Sequence, residues 1–404
     1  MNTARNLFVL TALAASVWAQ PNLFFNQGAL VYVQPGALLY VQGGYVNNDV
    51  NNDQGTFQCT TQNYGTIWLV NAAGGWRGSL TNGQDAEFNT YQGSLVRLEG
   101  DFTNEGYYRA GITGYGGTIE FSGTSTQNYQ NTTTAQAWIL DTVIINNSGA
   151  ANARYVNILS TTARDMHIRS RLHFQSGRIH TEGNTEVRMI NNSTNAITRQ
   201  LVAPVEPATF GTLHPDNTDQ YIYGALRWNV AAGSTYPFIV GGDPDANSTS
   251  GRGLQRIDVQ ISNTAGSGNH YVRVRFSSSA LGSISRPPYC RVGDNAPNRP
   301  YEPLNNGHWI VEPFDDATAT DPSTTYTDLA GVTMYNRVVN NVLTGASCPA
   351  AGTPGDPAFG NTLTDQCFVG INYEQLDPPN NCQGSNTGFT VSRTGFGSYN
   401  GGGS

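Results

Sequence analysis

Gly28-Ala29-Leu30-Val31-Tyr32-Val33-Gln34 is answered eight residues later by Gly36-Ala37-Leu38-Leu39-Tyr40-Val41-Gln42. Each phrase is a turn glycine followed by a short run in which apolar and variable positions alternate, the mark of a half-buried strand. Related phrases follow at Tyr64-Gly65-Thr66-Ile67-Trp68-Leu69, Gly93-Ser94-Leu95-Val96-Arg97-Leu98 and Gly117-Thr118-Ile119-Glu120-Phe121. These later phrases recur every 24 to 28 residues. A unit of that length cannot bury its apolar face alone and must stack on its neighbours. The spacing predicts an all-β fold whose N-terminal part, residues 20–200, is a parallel β-helix, or solenoid. An antiparallel sandwich of recurrent hairpins is the competing arrangement.

Composition agrees with a turn-rich β protein. Charged residues make up 12% of the chain, about half the usual share, while 46 glycines supply positive-φ positions. Twenty Tyr, 16 Phe and 6 Trp give ample core material, so the polarity is not that of a disordered chain. All 21 basic residues are Arg, which excludes Schiff-base and phosphate-loop lysine chemistry. A net charge of −8 argues against nucleic acid as a partner.

Residues 1–19 read as a signal peptide: Arg5, an apolar run from Leu7 to Val17, then Val17-Trp18-Ala19 as the small-residue exit. No later stretch reaches the ~20 apolar residues of a spanning helix, so no membrane span is expected in the mature chain, and the protein is expected to be secreted. In that setting Cys290, Cys348, Cys367 and Cys382 are disulfide candidates with three alternative pairings, and Cys59 is left over as a buried thiol or, alternatively, an intermolecular link.

Beyond about residue 201 the pattern changes. Pro204, Pro207 and Pro215 interrupt a polar stretch. Longer strands then follow at 221–230, 235–240, 254–261, 270–276, 309–314, 332–339, 367–373 and 388–393. They predict a β-sandwich over residues 201–395, with a flexible Gly-rich tail at 396–404.

Tyr223-Gly224-Ala225-Leu226-Arg227-Trp228, Thr235-Tyr236-Pro237-Phe238-Ile239-Val240-Gly241, Gly307-His308-Trp309-Ile310-Val311-Glu312-Pro313 and Thr390-Val391-Ser392-Arg393-Thr394-Gly395 resemble a module of large exported surface proteins of Bacteroidetes-type bacteria. In those proteins a Gly/Asn-rich β-solenoid with G-A-L-x-Y-V-Q phrases precedes the module. The resemblance implies export and a surface or matrix role. Such proteins usually continue into a sorting domain for type IX secretion, whereas this chain ends at Gly401-Gly402-Gly403-Ser404. A free product, or one retained by polymerisation, is therefore expected over one anchored by that route.

Four groups of residues are candidates for chemistry. In Met166–Phe174 the alternation sends His167, Arg169, Arg171 and His173 to one side, a basic face suited to an acidic polysaccharide. Asp243, Asp245 and Asn247 place oxygen ligands at alternate positions, as Ca2+ loops do, but Ser248 and Leu254 replace the turn glycine and closing glutamate. No cofactor is expected; Ca2+ is the one ion the sequence suggests. Arg97, Glu99 and Asp101 form an acid–base trio on paper that reads more readily as a surface ion pair. Trp68, Trp76 and Tyr91 are candidates for stacking sugars, with core and turn packing the simpler reading.

No hydrolase, metalloprotease or phosphate-loop motif occurs, and the six histidines lack ligand spacing. The chain does not read as an enzyme. The expected function is a secreted, self-assembling subunit of an extracellular filament, matrix or surface layer. A carbohydrate-binding module or adhesin is the alternative. The segment Gln20-Pro21-Asn22-Leu23-Phe24-Phe25 is the candidate assembly strand, able to add to a neighbour's open sheet.

Overall fold

The structure, a computed structural model, describes residues 7–8, 22–49, 59–75, 77–132, 139–150, 152–160, 165–200, 220–242, 253–254, 256–261, 270–277, 308–314, 329–334, 390–392 and 398–400. They form an all-β protein with mostly parallel strands and no helix, so among the described residues no helix is long and apolar enough to cross a membrane. The chain divides into two compact units, Met1–Val202 with Asp219–Trp228, and Ala203–Thr218 with Asn229–Ser404.

In unit 1 the strands come in circuits. After β1 (Leu7–Phe8), the first circuit is β2 (Leu23–Asn26), β3 (Leu30–Val33) and β4 (Leu38–Gln42). The second is β5 (Gly44–Asn47), β6 (Thr60–Asn63) and β7 (Thr66–Val70). The third is β8 (Leu80–Asn82), β9 (Glu87–Thr90) and β10 (Leu95–Leu98). The fourth is β11 (Phe102–Asn104), β12 (Tyr107–Arg109) and β13 (Thr118–Phe121).

Among the described residues the next circuits show two strands each: β14 (Gln127–Asn131) with β15 (Leu140–Asn146), then β16 (Tyr155–Ile158) with β17 (Met166–Ser176). Next come β18 (Arg178–Thr181) with β19 (Glu186–Met189) and β20 (Ile197–Arg199), and last β21 (Ile222–Tyr223) with β22 (Ala225–Val230). Strands pair in parallel with their counterparts one circuit on, while β20 joins β17 beside β19. One sheet runs β2-β5-β8-β11-β14-β16-β18-β21, a second β1-β3-β6-β9-β12, and a third β4-β7-β10-β13-β15-β17-β19-β22.

The third sheet is where the sequence repeat goes. Leu38, Thr66, Leu95, Thr118 and Thr142 are register partners, 28, 29, 23 and 24 residues apart. One position on, Ile67, Val96, Ile119 and Val143 stack inward, each 2% exposed or less. The two opening phrases are not successive repeats: they are β3 and β4, which lie in different sheets of one circuit. Gly36 at φ +76° turns the chain between them.

Two inner ladders hold the circuits together. Phe24 stacks on Tyr45 (4.9 Å between centroids), Phe88 on Tyr108 (5.4 Å) and Phe102 on Tyr129 (5.4 Å). The first five strands of the first sheet all end in asparagine: Asn26, Asn47, Asn82, Asn104 and Asn131. These amides are buried and each donates its Nδ2 to the next Oδ1, at 2.8, 2.9, 2.9 and 2.9 Å. Asn26 and Asn47 also donate to Ala29 and Glu87 carbonyls at the corner (3.0 and 3.1 Å), so the ladder satisfies turn backbone that would otherwise be buried unpaired.

The stretch 221–230 was expected to open the second domain. Instead it returns to unit 1 as far as Trp228, because Glu186–Met189 pairs in parallel with Ala225–Trp228. The fully buried Trp228 indole donates from Nε1 to the Asn191 carbonyl at 2.9 Å.

Unit 2 contains β23 (Thr235–Phe238), β24 (Val240–Gly242), β25 (Gly253–Leu254), β26 (Ile257–Ile261), β27 (His270–Ser277), β28 (His308–Phe314), β29 (Leu329–Met334), β30 (Thr390–Ser392) and β31 (Ser398–Asn400). Its pairings are largely antiparallel: β23 with β26, β26 with β29, β24 with β25, β27 with β28 and β30 with β31. Only β29 with β30 is parallel among those described here. Tyr236, Phe238, Ile257, Val259, Val272 and Val274 are buried, the inward half of its alternating strands.

Candidate functional site

Leu23, Phe25, Leu38 and Tyr40 are 42, 48, 50 and 52% exposed, and among the described residues they are the exposed large apolar side chains. All four belong to the first circuit. β2 ends one sheet and β4 ends another, and each pairs on one side only among the described residues, with β5 and β7. Among the described residues no strand pairs with their other edges, which apolar side chains flank, the arrangement that accepts a further strand. β3 shows the geometry of such an addition, since Leu7 and Phe8 pair in parallel with Leu30 and Val31.

The expected assembly strand therefore has a different role from that of a free arm. Leu23, Phe24 and Phe25 are already paired with Gly44, Tyr45 and Val46, with Phe24 committed to its stack on Tyr45. The segment contributes an edge, not a donor strand; Gln20 and Pro21 lie outside the described residues.

The basic strand is β17, and its alternation holds: Met166, Ile168, Leu172 and Phe174 are fully buried. A register shift interrupts it, because Leu140 pairs with Ile168 but Thr142 pairs with Arg171. The extra residue divides the outward row into two groups. Arg169 and Arg171 are exposed. The Thr198 hydroxyl gathers Arg171 Nη2 at 3.0 Å and His173 Nδ1 at 2.8 Å. His167 turns instead toward Asp165, 3.9 Å away.

That second group is a charged network the sequence did not reveal. Asp165 meets Arg188 at 2.6 Å; Glu186 meets Arg188 at 2.6 Å and Arg227 at 3.3 Å. Glu186 and Arg227 are 2 and 1% exposed. Burial opposes ionisation of Asp165, yet the hydrogen bond with His167 and the Arg188 charge outweigh it and hold the carboxyl below its usual range. Burial pushes His167 down, against the pull of Asp165. The charges largely cancel within the network, which suits structure better than catalysis. Only the parallel register of His167, Arg188 and Arg227 could have signalled it.

The remaining candidates separate. Arg97 pairs with Glu120 on the next strand at 2.8 Å, Asp101 pairs with Arg77 at 3.1 Å, and Glu99 accepts the Asn71 N–H at 2.9 Å. The trio is thus dispersed over three partners. Trp68 lies between Tyr40, edge-on at 5.5 Å, and the Arg97 guanidinium, 5.3 Å from its ring. Tyr91 stacks on Tyr64 at 3.8 Å and 7°. Both aromatic candidates are therefore occupied by their neighbours.

Cys59 is a buried free thiol, with Sγ 3.0 Å from Asn47 Oδ1, and burial raises its pKa. Asp243, Asp245, Asn247, Cys290, Cys348, Cys367, Cys382 and Trp76 lie outside the described residues. Among the described residues no group of three or more His, Cys, Asp or Glu side chains is placed to hold a metal ion. Comparison with protein-family models, with curated proteins and with solved structures found no match.

Proposed function

We propose that this chain is an exported structural subunit that associates with further copies of itself through its first circuit. The observation that carries this reading is the confinement of the exposed large apolar side chains, among the described residues, to the edge strands β2 and β4. Strand edges without a described partner, flanked by the exposed Leu23, Phe25, Leu38 and Tyr40, gain both hydrogen bonds and apolar burial when a second chain adds to them. In this reading the strands of unit 1 from β2 onward form a parallel β-helix, which the circuit-by-circuit strand order supports. Unit 2 is a β-sandwich, a reading supported by its antiparallel pairings. The apolar leader and the likeness to exported Bacteroidetes-type surface proteins support an extracellular location.

Sedimentation and electron microscopy of the purified protein over a range of concentrations test the assembly. Oligomers or filaments are expected, and Phe25→Asp with Leu38→Asp should return them to monomers. Monomers at every concentration would sink the reading, as would assemblies indifferent to the double substitution.

A second reading, binding of an acidic polysaccharide, is favoured by Arg169 and Arg171, exposed on one strand with His173 beside them. Retention on a sulfated or uronic-acid polymer, weakened by Arg169→Ala with Arg171→Ala and by added salt, is the expected result. Unchanged retention in that variant removes it.

A further inference from the structure

Four tyrosines form a continuous column on the corner between the second and third sheets. Tyr32 is 5.4 Å from Tyr64, Tyr64 3.8 Å from Tyr91, and Tyr91 5.3 Å from Tyr115. All four are half-buried, unlike the fully enclosed Tyr45, Tyr108 and Tyr129. The middle pair differs from its neighbours in geometry. Tyr64 and Tyr91 lie 7° from parallel, whereas Tyr32 and Tyr115 are tilted by 47° and 35° against the rings they adjoin.

The backbone fixes that pair. Tyr64 follows β6 and Tyr91 follows β9, and their N–H groups donate to Val33 and Asn63 one circuit back at 2.8 and 3.1 Å. The rings are therefore held face to face by the register of the sheet, each half-buried.

We propose that Tyr64 and Tyr91 are an oxidative cross-linking site, joined by a carbon–carbon bond when a peroxidase-type one-electron oxidant acts on the chain. Each phenol gives up one electron and one proton, and the two phenoxyl radicals couple between facing ortho carbons. The two ring hydrogens at those carbons move to the phenolic oxygens as aromaticity returns. Hydrogen peroxide takes up the two electrons and two protons and leaves as two waters. Facing π-surfaces at 3.8 Å bring the ortho carbons within a short displacement of bonding. Tyr32 and Tyr115 extend the column on either side, so a radical formed at either end has a neighbour to pass to. The chain contains no lysine, so lysine-derived cross-links are closed to it, whereas its 20 tyrosines supply phenols that one-electron oxidants couple. The product ties two circuits together covalently without requiring another subunit.

Dilute purified protein treated with a plant-type peroxidase and hydrogen peroxide tests this directly. Trypsin cuts after Arg77 and Arg97, so the expected product is peptide 78–97 joined to the peptide ending at Arg77, two hydrogens lighter than their sum, with dityrosine fluorescence. Tyr91→Phe and Tyr64→Phe, which keep the stacked ring, should abolish that joined peptide and leave the circular dichroism spectrum unchanged. Tyr107→Phe, half-exposed off the column, should leave it at full yield. The proposal is overturned if the joined peptide does not form while free tyrosine in the same vessel dimerises. It is equally overturned if the peptide persists in Tyr91→Phe, or if chains link to one another in preference. Run on the Phe25→Asp, Leu38→Asp protein as well, the joined peptide is read on a monomer, so its formation is independent of whether the first circuit drives assembly.

Discussion

Asn47 donates its side-chain Nδ2 to Asn82 Oδ1 at 2.9 Å although the two residues are 35 positions apart and both fully buried. Asn82 then donates to Asn104, so it is an interior rung with a partner on each side. Asn82→Ala should therefore cost about 2–4 kcal/mol, because it strands a donor on Asn47 and an acceptor on Asn104 and leaves a small void. Asn26→Ala, at the end of the ladder, should cost about 1 kcal/mol. Urea unfolding monitored by tyrosine fluorescence makes the comparison, and an equal loss at both positions would show that the ladder does not act as a unit.

Glu186 is shared by two guanidinium groups, those of the buried Arg227 and of Arg188, which also meets Asp165. Removing the shared acid should do more damage than removing either base. Glu186→Gln is expected to lower stability by about 3–5 kcal/mol, with Arg227→Met costing less and the double variant regaining part of the loss. A double-mutant cycle on unfolding free energies checks this; simple additivity would contradict the network.

His180 must be neutral. Its Nε2 accepts from Arg178 Nε at 2.8 Å, its ring stacks on Tyr155 at 3.9 Å, and Tyr223 meets it edge-on at 5.0 Å. Burial, then the Arg178 charge, push its pKa from 6.5 down to about 3. The folded state thus binds fewer protons than the unfolded chain between those values. Stability is full above about pH 6.5 and falls as pH drops toward 3, by up to ~1.4 kcal/mol per unit from this group. Burial also lowers His167 and His173, which act in the same direction. His180→Gln, which keeps an acceptor for Arg178, should make the profile shallower between pH 6 and 4, on the order of one proton less in slope. An unchanged slope in melting temperature against pH would reject the assignment.

Gly43 has φ +127°, and a Cβ there would sit 1.7 Å from the Asn22 carbonyl oxygen. Its neighbour Gly44 donates to that same carbonyl at 2.9 Å, seating β2 on the circuit above. Gly43→Ala should displace β2 and cost about 2–4 kcal/mol. Gly36→Ala, at φ +76° with open space around it, should cost about 1 kcal/mol. Hydrogen exchange is the discriminating measurement: amides of residues 23–26 should lose protection in the first variant and keep it in the second.

Much of the architecture was legible because short strands announce themselves locally. A turn glycine followed by alternating side chains marks β4, β7, β10 and β13, and their spacing predicts the circuits. The outward row of β17 was equally readable as far as burial is concerned, since alternation depends on the pleat alone. Its division into two groups was not, because a one-residue register shift is a property of the pairing with β15. The same limit explains Arg97, whose partner is Glu120 across a strand pair and not Glu99 two residues away. The opening phrases misled for a related reason: identical strand signals serve two sheets of one circuit, and nothing local tells β3 from β4.

The asparagine that ends each of the first five strands of one sheet is visible in the sequence as a residue type at a strand terminus, no more. By itself the sequence determined that the chain is β-structured, that its N-terminal half repeats, and which side of each strand is apolar, since these follow from backbone sterics and side-chain periodicity. Tertiary structure alone decided which amides, rings and charges meet. The loops between equivalent rungs differ in length, so the partner of Asn47 or Tyr64 is fixed by hydrogen-bond register between circuits and not by any constant distance along the chain.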